Sequence, residues 1–288
     1  MPSALDDLLT LLDLELLEHD YFRGQSASYG APRVFGGQVL AQAVIAAGRT
    51  VPEDRRCHSL HAYFILPGDA QAPILYHVDR LRDGGSFATR RVTAIQHGRP
   101  IFNAALSFHR EEPGLDHADP APEAVPAPGE VTSEVEIARA LADRIPRRFR
   151  ATLTNERAID YRPIDPVNPF APEPTEAELK VWLQASGELP DDPLIHQALL
   201  AYASDYGLLG TALRPHARSV FDPTIMAASL DHAIWFHRPF RIDGWLLYTM
   251  DSPSASGGRA FTRGAVHDAE GRLVASATQE GLVRLVNT

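Results

Sequence analysis

The chain of 288 residues carries 37 acidic against 27 basic side chains, a formal charge of −10, and is 44% hydrophobic. That apolar share supports a sizeable core in one large domain or two ordinary ones, while the acidity argues against nucleic acid or an anionic membrane as the main partner, because both demand dense positive charge. The single cysteine, Cys57, leaves no internal disulfide and no thiolate metal cluster; it reads as a small core residue in a reducing compartment.

In chain order, the opening MPSALDDLLTLLDLELLEHD has acids where a signal peptide needs bases, and no apolar run approaches the roughly 20 residues of a membrane span. A cytoplasmic protein with no membrane partner is expected. Residues 38–47, QVLAQAVIAA, form a helical run preceded by Gly36-Gly37, and strand-like stretches follow at HAYFIL, PILYHVDRL and FATRRVTAIQ. Residues 111–130, EEPGLDHADPAPEAVPAPGE, are too rich in proline and acid to build a core and read as an exposed linker. The expected division is therefore 1–110, the linker 111–130, and 131–288.

Beyond the linker, IDYRPI and ELKVWLQASG resemble opening strands. Asp192-Pro193 then supplies a helix start, with an acid to accept a first-turn N–H and proline at the first helical position. On that helix Ile195, Ala198, Leu199 and Tyr202 follow the 3.6-residue period, and Asp205 falls in line with them, which points an acid toward the core. Such a carboxylate either bonds nearby backbone in the last turn, with Gly207 as the C-terminal cap, or pairs, or does chemistry. The strands AIWFHRPF, WLLYTMD and RLVASATQEGLVRL close the chain.

The two halves repeat one pattern. Residues 85–99 align without a gap on 258–272, so that Gly85, Arg90, Gly98 and Arg99 recur as Gly258, Arg263, Gly271 and Arg272. His97-Gly98 and Glu270-Gly271 read as hairpin corners. Each unit is one helix wrapped by an antiparallel sheet, and two units set edge to edge would share a continuous sheet, with a ligand site at the seam.

RVFGGQVLAQA (33–43), HSLHAYFILPGD (58–69) and SLDHAIWFHRPF (229–240) together resemble the bacterial acyl-CoA thioesterase II family, from Leu14 to Val286. The resemblance implies an α+β double hotdog, two tandem units forming a continuous sheet, with the catalytic residues in the second. It implies hydrolysis of acyl-CoA to free acid and CoA by activated water, with no metal or other cofactor. The family's aspartate falls in YASD, here Asp205; its hydroxyl residue, often threonine, is here Ser229; its glutamine, in TQEG, is Gln279. An ionised Asp can take a proton from water that a hydroxyl and an amide orient.

Gly36 and Gly37, beside a helix N-terminus, are candidates for substrate binding through backbone N–H groups. Lys180 is the only lysine, so arginines such as Arg90, Arg91, Arg259 and Arg263 are candidates for the CoA phosphates, each equally readable as a solvated strand residue. His237 and Arg238 are placed at the interface of the units. Two rival readings remain: a hotdog hydratase or dehydratase, for which His232 beside Asp231 would be the histidine, and a non-catalytic acyl-CoA binding protein. Duplicated units still expose sheet or helix faces, so a homo-oligomer, dimer or tetramer, is expected.

Overall fold

In the computed structural model, which describes residues 2–28 and 33–286, two long helices are wrapped by one continuous antiparallel sheet. Helix α1 (Ala4–Leu12) starts from a reciprocal capping box: Ser3 Oγ accepts the Asp6 N–H and the Asp6 carboxylate accepts the Ser3 N–H. Strands β1 (Glu15–Glu18) and β2 (Tyr21–Gly24) lead to α2 (Gly36–Gly48). Residues 37–47 of α2 are all buried, as expected of a helix that is apolar almost all round. Its two glutamines are not left bare: Gln42 Oε1 accepts the Tyr76 hydroxyl at 2.7 Å, and the amides of Gln38 and Gln42 both donate to Gln25 O. Strands β3 (Arg56–Phe64), β4 (Ile74–Asp83), β5 (Phe87–Gln96) and β6 (Arg99–His109) complete the first half.

The second half follows the same plan with additions. Helices α3 (Glu134–Ala140) and α4 (Arg147–Thr154) precede β7 (Ile159–Pro163) and β8 (Glu178–Ala185). Then come α5 (Pro193–Ser204), the short α6 (Leu208–Leu213), β9 (Ile225–Ser229), β10 (Asp231–Phe236), β11 (Leu246–Ser256), β12 (Arg259–His267) and β13 (Leu273–Leu285). Asp192 caps α5 by accepting the Leu194 N–H at 2.9 Å, with Pro193 in the first turn.

The sheet runs β1-β2-β4-β5-β6-β3-β10-β13-β12-β11-β8-β7, with β9 paired to β13. Its two halves join where β3 and β10 run antiparallel, Leu60 opposite Ile234 and Ala62 opposite His232. This is the expected α+β double hotdog. Helices α2 and α5 lie side by side and antiparallel, so close that a Cβ on Gly37 would sit 2.3 Å from Tyr202 O. Buried residues of both helices and both sets of strands form one core, and Ala138, Ile145 and Leu153 form a small separate one.

The repeat is real in topology but carries a gap. Ala94 pairs with Phe102 in the first copy and Val266 with Ala275 in the second, so the second corner holds one residue more. Gly98 and Gly271 both take left-handed backbone there, at φ 71° and 78°. Counting back from the corner, Arg90 corresponds to Thr262 and not to Arg263. A one-residue shift turns a strand residue to the other face, which is why Arg90 is fully buried while Arg263 lies on the surface.

The segment from 110 to 127 has no helix or strand and is mostly exposed. It is tied to the second half: the Trp182 indole donates to Pro126 O at 2.9 Å, and Arg238 pairs with Asp116 and donates to His117 O at 3.0 Å. Arg238 therefore anchors the connecting segment and not the junction of the two units. His237, just past the end of β10, shares a hydrogen bond with Ser276 Oγ of β13 at 2.8 Å.

Candidate active site

The end of α5 delivers the acid. Asp205 is the residue that closes the helix, its N–H reaching Ala203 O, and Gly207, at φ 83°, forms the left-handed link from which α6 starts. Gly207 thus serves as a joint between two helices and not as the C-terminal cap of the first. Because α2 is antiparallel to α5, its N-terminus stands opposite this acid. No side chain of Phe35 caps that N-terminus; the Asp205 carboxylate does so from the other half of the chain, Oδ2 accepting the Gly37 N–H at 2.9 Å. Gly36 must lack a side chain for this approach, since a Cβ there would lie 2.7 Å from Asp205 Oδ2 and 3.0 Å from the Phe64 ring.

Strand β13 delivers the amide. Gln279 lies on the inner face with Ala275, Ala277 and Gly281 and is buried. Its Nε2 donates to Asp205 Oδ1 at 2.7 Å, while its Oε1 has no hydrogen-bond partner among the described residues. Ser229, the last residue of β9, pairs across the ladder with Gly281, two residues beyond Gln279, which sets its hydroxyl near enough to the same carboxylate to lower its pKa. All five residues singled out from sequence, Gly36, Gly37, Asp205, Ser229 and Gln279, therefore meet at one point.

Burial dominates the electrostatics of that point. It pushes the Asp205 carboxyl up to about 6, against the lowering effect of the donors from Gln279, Gly37 and Ser229. A carboxyl so placed is ionised at neutral pH and yet basic enough to take a proton.

One neighbour entered the sequence reading only as the histidine of the rival hydratase. His232, the second residue of β10, is buried, its Nε2 2.9 Å from Ser204 Oγ and its Nδ1 3.4 Å from Gln279 Nε2. Desolvation drives its pKa down to about 3, so the ring is neutral. A hydratase would need this histidine to face the ligand; both of its nitrogens are instead occupied by Ser204 and Gln279. The signal available in sequence was only the alternation of β10, which puts residues 232, 234 and 236 on the inner face.

The candidate phosphate-binding arginines are engaged elsewhere. Arg90 donates to Thr50 Oγ1, Thr50 O, Arg82 O, Thr89 O and Asp83, a buried strut of the first half. Arg91 pairs with Asp79, Arg259 with Glu280 and Arg263 with Asp251. Burial raises the Cys57 thiol to about 12, which leaves it inert. Among the described residues, no helix is long and apolar enough to cross a membrane.

Residues 150–282 match the family described as acyl-CoA thioesterase, and residues 25–109 match the acyl-CoA thioesterase N-terminal domain. The chain is 41% identical to acyl-CoA thioesterase 2 of Haemophilus influenzae, over 99% of both chains, and 39% identical to human acyl-coenzyme A thioesterase 8, over 96% of this chain and 88% of that one. Among solved structures, acyl-CoA thioesterase II TesB2 of Mycobacterium marinum is similar at 42% identity, with a TM-score of 0.78 over 97% of this chain and 99% of that one.

Proposed function

Because this chain belongs to the acyl-CoA thioesterase family and is a thioester hydrolase, we propose that Asp205 is the general base that activates water for attack on the thioester carbonyl. The observation that carries this reading is the environment of its carboxylate: buried, raised to about 6, and held by Gln279 and the Gly37 N–H, with the Ser229 hydroxyl nearby. Gln279 Oε1 and the Ser229 oxygen are the remaining acceptors beside it, and they orient the water.

The steps balance as follows. Water adds to the carbonyl carbon while Asp205 takes one of its protons, giving a tetrahedral oxyanion. That intermediate collapses, the carbon–sulfur bond breaks, and Asp205 returns the proton to the departing CoA sulfur. Backbone N–H groups at the N-terminus of α2, around Gly36, stabilise the oxyanion; Gly37 is already committed to Asp205. The substrate is an acyl-CoA, and a covalent acyl-enzyme does not form.

The same reading places a homo-oligomer in the cytoplasm. In its support, β1 and β7 end the sheet as open edges, Leu16 and Leu17 of β1 are exposed, and the single cysteine is buried and unpaired. The test is release of free CoA from acyl-CoA thioesters of short, long and aromatic acyl groups by the wild type and by Asp205→Asn. Activity lost in a folded variant supports the base; equal activity overturns it.

A further inference from the structure

Gln279 Nε2 has two hydrogens and two acceptors within reach, Asp205 Oδ1 at 2.7 Å and His232 Nδ1 at 3.4 Å. The second contact is set by a chain of bonds behind the site. Ser204 Oγ donates to Ala201 O at 3.0 Å, so what it offers His232, 2.9 Å away, is a lone pair. The proton of the neutral ring is therefore on Nε2, and Nδ1 is a bare acceptor. An acceptor there tolerates only the NH2 end of the amide; the reversed amide would set Oε1 against the Nδ1 lone pair.

An ionised Asp205 enforces the same orientation. Once Asp205 has taken the proton from water it no longer does, for a carboxylic acid can donate to an amide oxygen. An amide free to turn over would then accept that proton in a hydrogen bond and hold it on Asp205. We propose that His232, locked by Ser204 in its Nε2–H form, is a positioning residue that keeps the Gln279 nitrogen toward Asp205 throughout the cycle, leaving the proton free to pass to the departing sulfur. This rests on Asp205 being the base.

Burial supports the role, because His232 is neutral through the whole working range. The groups facing the Asp205 carboxylate are Gln279, Ser229 and the Gly37 N–H, and the other titratable group that senses it is Tyr248, whose buried phenol stays protonated. None of them holds the amide in place of His232.

The experiment measures kcat, KM and the acid limb of the kcat/KM–pH profile for the wild type, His232→Leu and Ser204→Ala, with folding checked by circular dichroism. Removing the lock stabilises protonated Asp205, so the acid limb moves to higher pH by on the order of one unit in His232→Leu, kcat falls about tenfold, and KM holds. Ser204→Ala, which frees the tautomer and keeps the ring, shifts the limb in the same direction by less, and carries the test if His232→Leu does not fold. With Gln279→Ala in the background, His232→Leu adds no further shift. A merely structural histidine would lower folded yield and leave the acid limb in place, and an unmoved limb in a folded variant overturns the inference while the base assignment stands. A wild type that releases no CoA overturns both.

Discussion

The Asp205 carboxylate accepts the Gly37 N–H at 2.9 Å across 168 residues of chain, so the acid that ends the central helix of one half caps the start of the central helix of the other. The site exists only because α2 and α5 lie antiparallel, and the five residues that form it come from both halves.

Asp205→Asn keeps the shape and removes the proposed base. CoA release should fall by roughly 100-fold or more, with KM little changed. The same variant reads out the cost of burying the acid. The folded-state pKa lies near 6, above the ordinary 3.8, so the folded protein binds the proton more tightly than the unfolded chain does. Stability due to this group is greatest below 3.8 and declines as pH rises through 6. Asn does not titrate, so the stability difference should move in favour of the variant between pH 4 and 6 and stay constant above; urea unfolding across that range checks it.

If Asp205 is the base, the wild-type kcat/KM should rise with pH along an acid limb centred near 6 and level off above it, because only the ionised carboxylate can take the proton. A limb near 4 would mean that the working acid is not buried as Asp205 is.

Ser229→Ala removes one of the donors that favour the ionised form. Its acid limb should move upward and its rate fall about tenfold, whereas Ser229→Thr, which restores a hydroxyl with a stiffer rotamer, should retain most activity. Stopped CoA-release assays at matched pH separate the two.

Gly36→Ala and Gly37→Ala should fail differently. A Cβ on Gly36 meets the Asp205 carboxylate and the Phe64 ring, so that variant displaces the acid and loses rate. A Cβ on Gly37 meets Tyr202 O at 2.3 Å, backbone that cannot swing aside, and should cost about 1–3 kcal/mol of stability as the helices are forced apart. Thermal melts and CoA release on each variant distinguish the two losses.

Arg90→Met tests the buried strut. The Thr50 hydroxyl, three carbonyls and Asp83 lose a charged donor, and destabilisation of about 2–4 kcal/mol is expected. The catalytic pH profile should keep its shape.

Much of this was legible in the sequence because the decisive features are local. Asp192-Pro193 starts a helix whose period carries an acid to its inner end, and the alternation of β13 turns Gln279 inward among small residues. What was not legible depends on counting across turns. The gapless alignment of the repeats matched Arg90 with Arg263, but the extra residue at the second hairpin shifts the match to Thr262 and leaves Arg263 on the opposite face. His232 escaped for a related reason: its partners Ser204 and Gln279 lie 28 and 47 residues away, and only the β10–β13 register and the end of α5 bring them together.

With the corner counted correctly, the cross-strand pair Thr262–Gln279 of the second half corresponds to Arg90–Leu106 of the first, and Arg49 ends α2 where Asp205 ends α5. The mirror position therefore has a cation in place of the acid and an aliphatic chain in place of the amide. If Asp205 is the base, a duplicated scaffold with two equivalent corners carries one working site per polypeptide.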